Sequence, residues 1–177
     1  MKKSFILIGI FIAFLIIYFL QANFFNWFTI AGIKPNLFVM FILFISLFAG
    51  MKVGISSAIF FGVFLDIVIG KHLGTYTVMF VAIAIMGGYL DKNFSKDSRL
   101  TIMLMVIAST MLFEIGRYIL SFAVLRINVE IIPFIKILFI ELLFNALITI
   151  IIYPIVQILG YKIEDVFKEQ KILTRYF

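Results

Sequence analysis

Two polar pairs lie within long apolar stretches of this 177-residue chain, where charge is costly and therefore informative. Glu114 and Arg117 are three residues apart, and Glu141 and Asn145 are four apart, so each pair occupies one face of a helix. Such groups can form a buried ion pair or line a path for protons or ions. We expect Arg117 to pair with Glu141, with Glu114 protonated or bonded to Asn145. The alternatives are an Arg117 side chain that extends outward unpaired and a water-filled proton or ion path.

The other reactive residue types do not form a catalytic set. The chain has one His and no Cys, so His72 has no second His or Cys with which to bind a transition metal. Asp66 and Asp91 are expected at opposite ends of their helices, on opposite sides of the bilayer, and so cannot share a proton as a catalytic dyad does. The sequence therefore predicts no enzyme activity, no metal site and no cofactor.

The composition indicates that lipid surrounds the chain. Hydrophobic residues make up 64% and charged residues 14%, against about 45–50% and about 25% in soluble domains. Backbone amides in lipid must be paired within helices, so the apolar segments predict an all-α polytopic membrane domain of six transmembrane helices over residues 1–160. The predicted spans are residues 4–22, 36–51, 53–70, 73–90, 100–125 and 134–159.

These spans give the two polar pairs matching depths, because the fifth and sixth spans must run antiparallel. Measured from the predicted outer ends at residues 125 and 134, Arg117 and Glu141 lie about 11 Å deep. Glu114 and Asn145 both lie about 16 Å deep at the same rise per residue. The four residues are therefore predicted to form one intramembrane polar cluster.

The basic residues indicate the orientation of the chain. With the N-terminus inside, ten of the fifteen Lys and Arg fall on the cytoplasmic side, four fall outside, and Arg117 lies within the fifth span. This distribution predicts that both termini are cytoplasmic, and it accounts for the positive charge without a nucleic acid partner. The tail over residues 161–177 has apolar residues at helical spacing between charges. It is expected to be an amphipathic helix at the interface, a docking segment for a cytosolic partner or a solvated tail.

A row of small residues runs along the third span. Gly54, Ala58 and Gly62 recur every four residues, and Asp66 continues the row on the same helix face. Small residues let two helix backbones approach closely. The row therefore predicts close packing against another helix, either of this chain or of a partner. Asp66 is a weaker candidate for the same interface, because its carboxylate could also reach headgroup water.

Two turns are also predicted. Only Lys52 clearly separates the second and third spans, which indicates a tight hairpin. Gly70 and Gly74 enclose polar residues, so they predict a tight outer turn rather than a helix dimerisation motif.

The stretch over residues 35–90 carries several short motifs in an apolar background. They are Pro35-Asn36-Leu37, Gly54, Gly62-Val63-Phe64-Leu65-Asp66, Gly70 and Gly74 followed by Tyr76, and Gly88-Tyr89-Leu90. This arrangement resembles the bacterial rod shape-determining MreD family. The chain departs from the family at Asn36, where Asp is frequent, and at Ala58, where Gly is frequent. From Arg99 onward the likeness is one of hydropathy only.

The resemblance implies a non-enzymatic subunit of the cell-elongation machinery in the bacterial cytoplasmic membrane. The family acts with MreC, which has one transmembrane helix, and is associated with the actin-like MreB. RodA and its penicillin-binding transpeptidase, which build lateral peptidoglycan, are further implied partners, and a homo-oligomer is compatible with the same reading. The implied fold is similar to the six-helix substrate-binding components of energy-coupling-factor transporters.

The alternative reading is a substrate-binding membrane component of a vitamin or metal transporter. Such a protein needs polar groups that converge near the outer surface. The candidates for that pocket are Asp66, His72, Thr75, Tyr76 and Lys136.

Overall fold

The computed structural model describes residues 2–69, 73–123 and 130–168, and these residues form six helices and no β-strand element. The helices are α1 (Lys2–Trp27), α2 (Leu37–Ala49), α3 (Met51–Ile69), α4 (Thr75–Asn93), α5 (Arg99–Ala123) and α6 (Ile131–Phe167). Each predicted span corresponds to one of these helices. The all-α prediction is therefore confirmed for the residues described.

Four of the helices, α1, α3, α5 and α6, are long and apolar enough to cross a membrane. Helix α2 has 13 residues, which gives about 20 Å of helix against a hydrocarbon core of about 30 Å. Helix α4 has 19 residues and carries Asp91 and Lys92 in its last turns. The structure thus supports an apolar helical membrane protein, and six complete spans stay a prediction.

Helix α2 is the centre of the bundle. It contacts each of the other five helices, and its buried residues are Phe38, Val39, Met40, Ile42, Leu43, Ile45, Ser46, Leu47, Phe48 and Ala49. A helix that is apolar on all sides suits a position surrounded by other helices. The uninterrupted apolar sequence of α2 therefore reflects burial within the protein.

The turn between α2 and α3 consists of one residue, Gly50. Its φ of +89° lies in the region that favours glycine. The predicted tight hairpin is therefore present, and it turns at Gly50 rather than at Lys52, which lies in the first turn of α3.

Helix α6 is longer than the sequence predicted. The sixth predicted span ends at residue 159, but α6 continues through Gly160 to Phe167. A Cβ at Gly160 would lie 2.6 Å from Cε1 of the Phe48 ring, so glycine permits close packing on α2 here and does not end the helix. The first part of the predicted tail extends α6, and residues 169–177 lie outside the described part of the chain.

Helix α1 packs on the bundle through aromatic side chains, of which Phe14 is the most deeply buried. Only Ile10 and Phe14 are buried among residues 2–19. The Phe14 ring stacks on Phe61 of α3, with the ring centroids 4.1 Å apart, and contacts Phe38 of α2 at 5.7 Å. Most of the other side chains of α1 are exposed.

A π-helical turn at Leu20–Phe24 interrupts α1 and contains a second attachment point. The Gln21 amide donates to the Pro35 carbonyl at 2.6 Å, and its oxygen accepts from the Leu37 backbone N–H at 3.2 Å. These bonds satisfy backbone groups at the start of α2, where no helical partner is available. Together with the ring contacts of Phe14, they attach both the middle and the C-terminal part of α1 to the bundle.

Candidate functional site

The small-residue row of α3 packs inside the chain, against α2 and α4. A Cβ at Gly54 would lie 2.7 Å from the Ser46 Cβ of α2, and a Cβ at Gly62 would lie 2.6 Å from the Thr77 Cα of α4. Ala58, between the two glycines, is fully buried. The row is therefore covered by helices of this chain, and a partner helix would have to bind another surface.

Asp66, at the end of this row, caps the N-terminus of α4. Its carboxylate accepts from the Tyr76 backbone N–H at 2.9 Å, and from the Thr77 backbone N–H and hydroxyl at 3.1 and 2.6 Å. The first backbone N–H groups of a helix lack helical partners, and negative charge is favourable there. Asp66 is only 3% exposed, so its carboxylate stabilises the α3–α4 connection instead of extending to headgroup water.

The outer turn predicted at Gly70 and Gly74 is described in part. Gly74 has a φ of +94° and directly precedes α4, which is the conformational role expected of a turn glycine. Gly70 and His72 lie outside the described residues.

The polar cluster of α5 and α6 does form around the four predicted residues. Glu114, Glu141 and Asn145 are buried, at 2%, 5% and 0% exposure, and Arg117 is half-buried. Glu141 faces both Glu114 and Arg117 across the α5–α6 interface. The matched depths derived from the sequence are consistent with this convergence.

The ion pair inside the cluster differs from the expected one. The Arg117 Nη2 atom lies 2.8 Å from Glu114 Oε2, on the same helix, whereas Arg117 was expected to pair with Glu141 on α6. An i,i+3 spacing brings the two side chains together on one helix face, so this pair needs no fit between two helices. The expected Arg117–Glu141 ion pair is therefore wrong in its partner.

Asn145 also takes different partners from those expected. Its Nδ2 donates to the Thr110 hydroxyl of α5 at 2.9 Å, and its Oδ1 accepts from the Asn36 backbone N–H at 2.8 Å. The Asn36 side chain accepts in turn from the Val39 backbone N–H at 3.3 Å and caps α2. Asn145 therefore joins α6 to α5 and to the start of α2, rather than bonding to Glu114.

Sequence reasoning missed Thr110 and the Asn36 amide as members of the cluster. Thr110 stands four residues before Glu114, so its position on the same helix face was readable. The Asn36 amide is 109 residues from Asn145, and no local pattern indicates that contact.

One atom of the cluster has no partner. Glu141 Oε1 is buried and forms no hydrogen bond among the described residues. Burying a carboxylate oxygen without a donor is costly in an apolar environment. The other buried side-chain oxygens and nitrogens of the cluster are bonded within the chain.

A second group of charges, absent from the sequence predictions, lies at the opposite end of α2. Lys96 and Lys168 both donate from Nζ to the Leu47 carbonyl, at 3.2 and 2.6 Å. The Asp91 carboxylate pairs with both lysines, with Oδ1 2.7 Å from Lys96 Nζ and Oδ2 2.5 Å from Lys168 Nζ. Glu164 Oε1 lies 2.7 Å from Lys96 Nζ. We call this end of the bundle the Lys96 end. The two cations complement the unpaired carbonyls at the C-terminus of α2.

The pKa values of the two lysines shift in opposite directions. Burial alone would lower the pKa of Lys96, but its hydrogen bonds with Asp91 and Glu164 outweigh burial and raise that pKa. The pKa of Lys168 is lowered, because burial and the neighbouring Lys96 ammonium outweigh its hydrogen bond with Asp91. Lys96 is therefore the more firmly charged of the two.

No group of three or more His, Asp or Glu residues that could hold a metal ion occurs within residues 2–69, 73–123 and 130–168. The polar groups described above are mostly paired with each other or with helix ends. These polar contacts hold the helices in position relative to one another.

Comparison with protein families relates the chain to a known family. The family model of the rod shape-determining protein MreD matches residues 1–163 of the 177-residue chain. The chain belongs to the MreD family. No curated protein and no solved structure shows significant similarity to it.

Membership of the MreD family implies a role in rod shape determination and a bacterial membrane protein, in agreement with the apolar helices. The family is one of shape-determining membrane proteins and is not known as enzymatic. The resemblance over residues 35–90 is therefore confirmed at the level of the family.

Replacing Gly62 with Ala tests the α3–α4 packing. The added Cβ meets the Thr77 backbone, which cannot rotate away, so we expect a loss of about 1–3 kcal/mol in stability. Thermal unfolding of the purified chain in detergent would measure it. Gly9→Ala in α1 is the matched control, because a Cβ there meets nothing within 4 Å and Ala favours helix. Equal melting temperatures for both variants would contradict the packing.

The ion pair is tested by removing its charges in turn. Arg117→Leu leaves buried Glu114 without its partner, and we expect a loss on the order of 1–3 kcal/mol. Adding Glu114→Gln should restore most of it, because no unpaired charge then remains. The matched control is the double variant that combines Arg117→Leu with Glu141→Gln, and thermal unfolding in detergent measures all three variants. Better rescue by Glu141→Gln than by Glu114→Gln would favour the inter-helix pair instead.

Proposed function

We propose that this chain is a non-enzymatic membrane subunit of the bacterial cell-elongation complex, which acts with MreC to organise and regulate lateral peptidoglycan synthesis. The observation that carries the proposal is the MreD family match over residues 1–163. The use of polar residues supports a structural role. Asp66 caps a helix, Asn145 joins three helices, and Glu114 holds Arg117.

The proposed partner contacts lie on the outer surface of the bundle. The single transmembrane helix of MreC would bind an exposed apolar face, because the small-residue row is covered by α2 and α4. Helix α3 offers one such face on its other side, with Ile59, Phe60, Val63 and Ile67 exposed. MreB, RodA with its penicillin-binding transpeptidase, and a second copy of this chain are further proposed partners.

We propose the bacterial cytoplasmic membrane as the location, with six spans and the Lys96 end in the cytoplasm. The distribution of ten basic residues against four supports this orientation. The proposed likeness to the six-helix components of energy-coupling-factor transporters stays a prediction about the fold. It does not carry a transport function, because Asp66 is engaged at the N-terminus of α4 and not offered to a ligand.

The orientation can be tested by labelling single cysteines, since the chain has none of its own. Thr29 and Ser95 are both exposed and lie at opposite ends of the bundle. We expect an impermeant maleimide to label Thr29→Cys in intact spheroplasts and Ser95→Cys only after permeabilisation. Labelling of Ser95→Cys from outside would overturn the proposed orientation.

The function can be tested in a rod-shaped bacterium whose own MreD-family protein is replaced by this chain. Depletion of this chain should round the cells while vitamin uptake stays unchanged. The unaltered chain and Gly9→Ala should support rod shape, whereas Gly54→Leu combined with Gly62→Leu should not, because those side chains separate α3 from α2 and α4. Rods that persist after depletion, or a loss of uptake at unchanged shape, would refute the proposal.

A further inference from the structure

An apolar cleft separates α1 from α2 and α6. It has a volume of about 660 Å³ and follows α6 from Ile148 to Ile163, which is about 22 Å along the helix axis. Lys162 is the one charged residue among those that line it. On α1, the lining residues are apolar and extend from Phe5 to Phe25.

The cleft stays open because α1 presents small side chains where it passes α6. Gly9 and Ala13 line the cleft, and a Cβ at Gly9 would meet nothing within 4 Å. Phe14 and Gln21 attach α1 to α3 and to the start of α2 instead. An apolar space of this kind in a membrane protein takes an apolar occupant.

An apolar cleft in a membrane protein can take a partner helix or the acyl chains of a lipid. A partner helix is a rigid cylinder about 10 Å across, whereas acyl chains are flexible and can follow the apolar lining along α6. The lysines at one end of the cleft favour the lipid.

The charge at one end of the cleft indicates the headgroup. Lys162 lines this end, and Lys2 and Lys3 lie in the first turn of α1, shortly before the lining residues Phe5 and Ile6. Basic pockets between transmembrane helices bind anionic lipid headgroups. One lysine of the cleft lining and two at the start of α1 are therefore available to a lipid phosphate.

The nearby carboxylates do not neutralise Lys162. Glu164 is engaged by Lys96 and Lys168, and Asp165 forms no ion pair with Lys162 among the residues described. We propose that the cleft binds one phospholipid with an anionic headgroup, with its acyl chains between α1 and α6 and its phosphate at Lys162, Lys2 and Lys3. This site does not depend on which proteins the chain assembles with.

The test measures lipid binding to the purified full-length chain. The delipidated chain is titrated with phosphatidylglycerol or phosphatidylcholine, and bound lipid is counted by native mass spectrometry. We expect one tightly bound phosphatidylglycerol and weaker binding of phosphatidylcholine. Lys162→Gln should weaken the binding of phosphatidylglycerol about fivefold. Lys92 is exposed and lies outside the cleft, so Lys92→Gln should leave that binding unchanged.

A second variant fills the cleft itself. Gly9→Leu places a side chain in the space that the acyl chains would occupy and should abolish tight lipid binding. Ile12→Phe enlarges an exposed side chain of α1 outside the cleft and should leave binding unchanged. Equal binding of both lipids, unchanged affinity in Lys162→Gln, or unchanged binding in a folded Gly9→Leu variant would each overturn the proposal. Cross-links from Ala13→Cys to a partner helix in place of lipid would overturn it as well.

Discussion

The bundle depends on the close approach of α2, α3 and α4 around Ser46. In lipid, apolar burial between helices gains little over contact with acyl chains, so close packing and hydrogen bonds must hold the helices together. Gly54 and Gly87 face Ser46 from two sides, and a Cβ at either would lie within 2.9 Å of the Ser46 Cβ. The Ser46 hydroxyl donates to the Ala84 carbonyl of α4. These contacts join the three helices at the centre of the bundle.

The polar residues extend the same principle to the helix ends. Backbone groups at the start of a helix have no partner within it, and lipid offers none. Asp66 supplies acceptors to α4, and Asn145 supplies one to the start of α2. Polar side chains in this chain therefore serve mainly to complete helix termini and to connect helices. That use accounts for the burial of Asp66 and Asn145 in an apolar bundle.

Sequence periodicity was sufficient for features that depend on one helix face. The row of Gly54, Ala58 and Gly62 and the convergence of α5 and α6 follow from spacing, because side chains four residues apart share a face. The partner of Arg117 could not be derived, since Glu114 and Glu141 are both within its reach and side-chain packing decides between them. The extension of α6 beyond residue 159 could not be derived, because the close packing of Gly160 on Phe48 joins residues that are far apart in the sequence. Contacts such as Lys168 with Leu47, 121 residues apart, leave no local pattern.

The contact between Lys168 and Leu47 has a consequence for the order of assembly during synthesis. Ribosomes add about 5–20 residues per second, so about 6–24 s separate the synthesis of Leu47 from that of Lys168 at this rate. Lys96 is made 49 residues after Leu47 and can bond to the carbonyl at the end of α2 first, whereas Lys168 can do so only at the end of that interval. The helix at the centre of the bundle is thus made early and completed last. Release of a truncated chain before α6 would leave that centre exposed, which makes it a natural feature for membrane quality control to recognise.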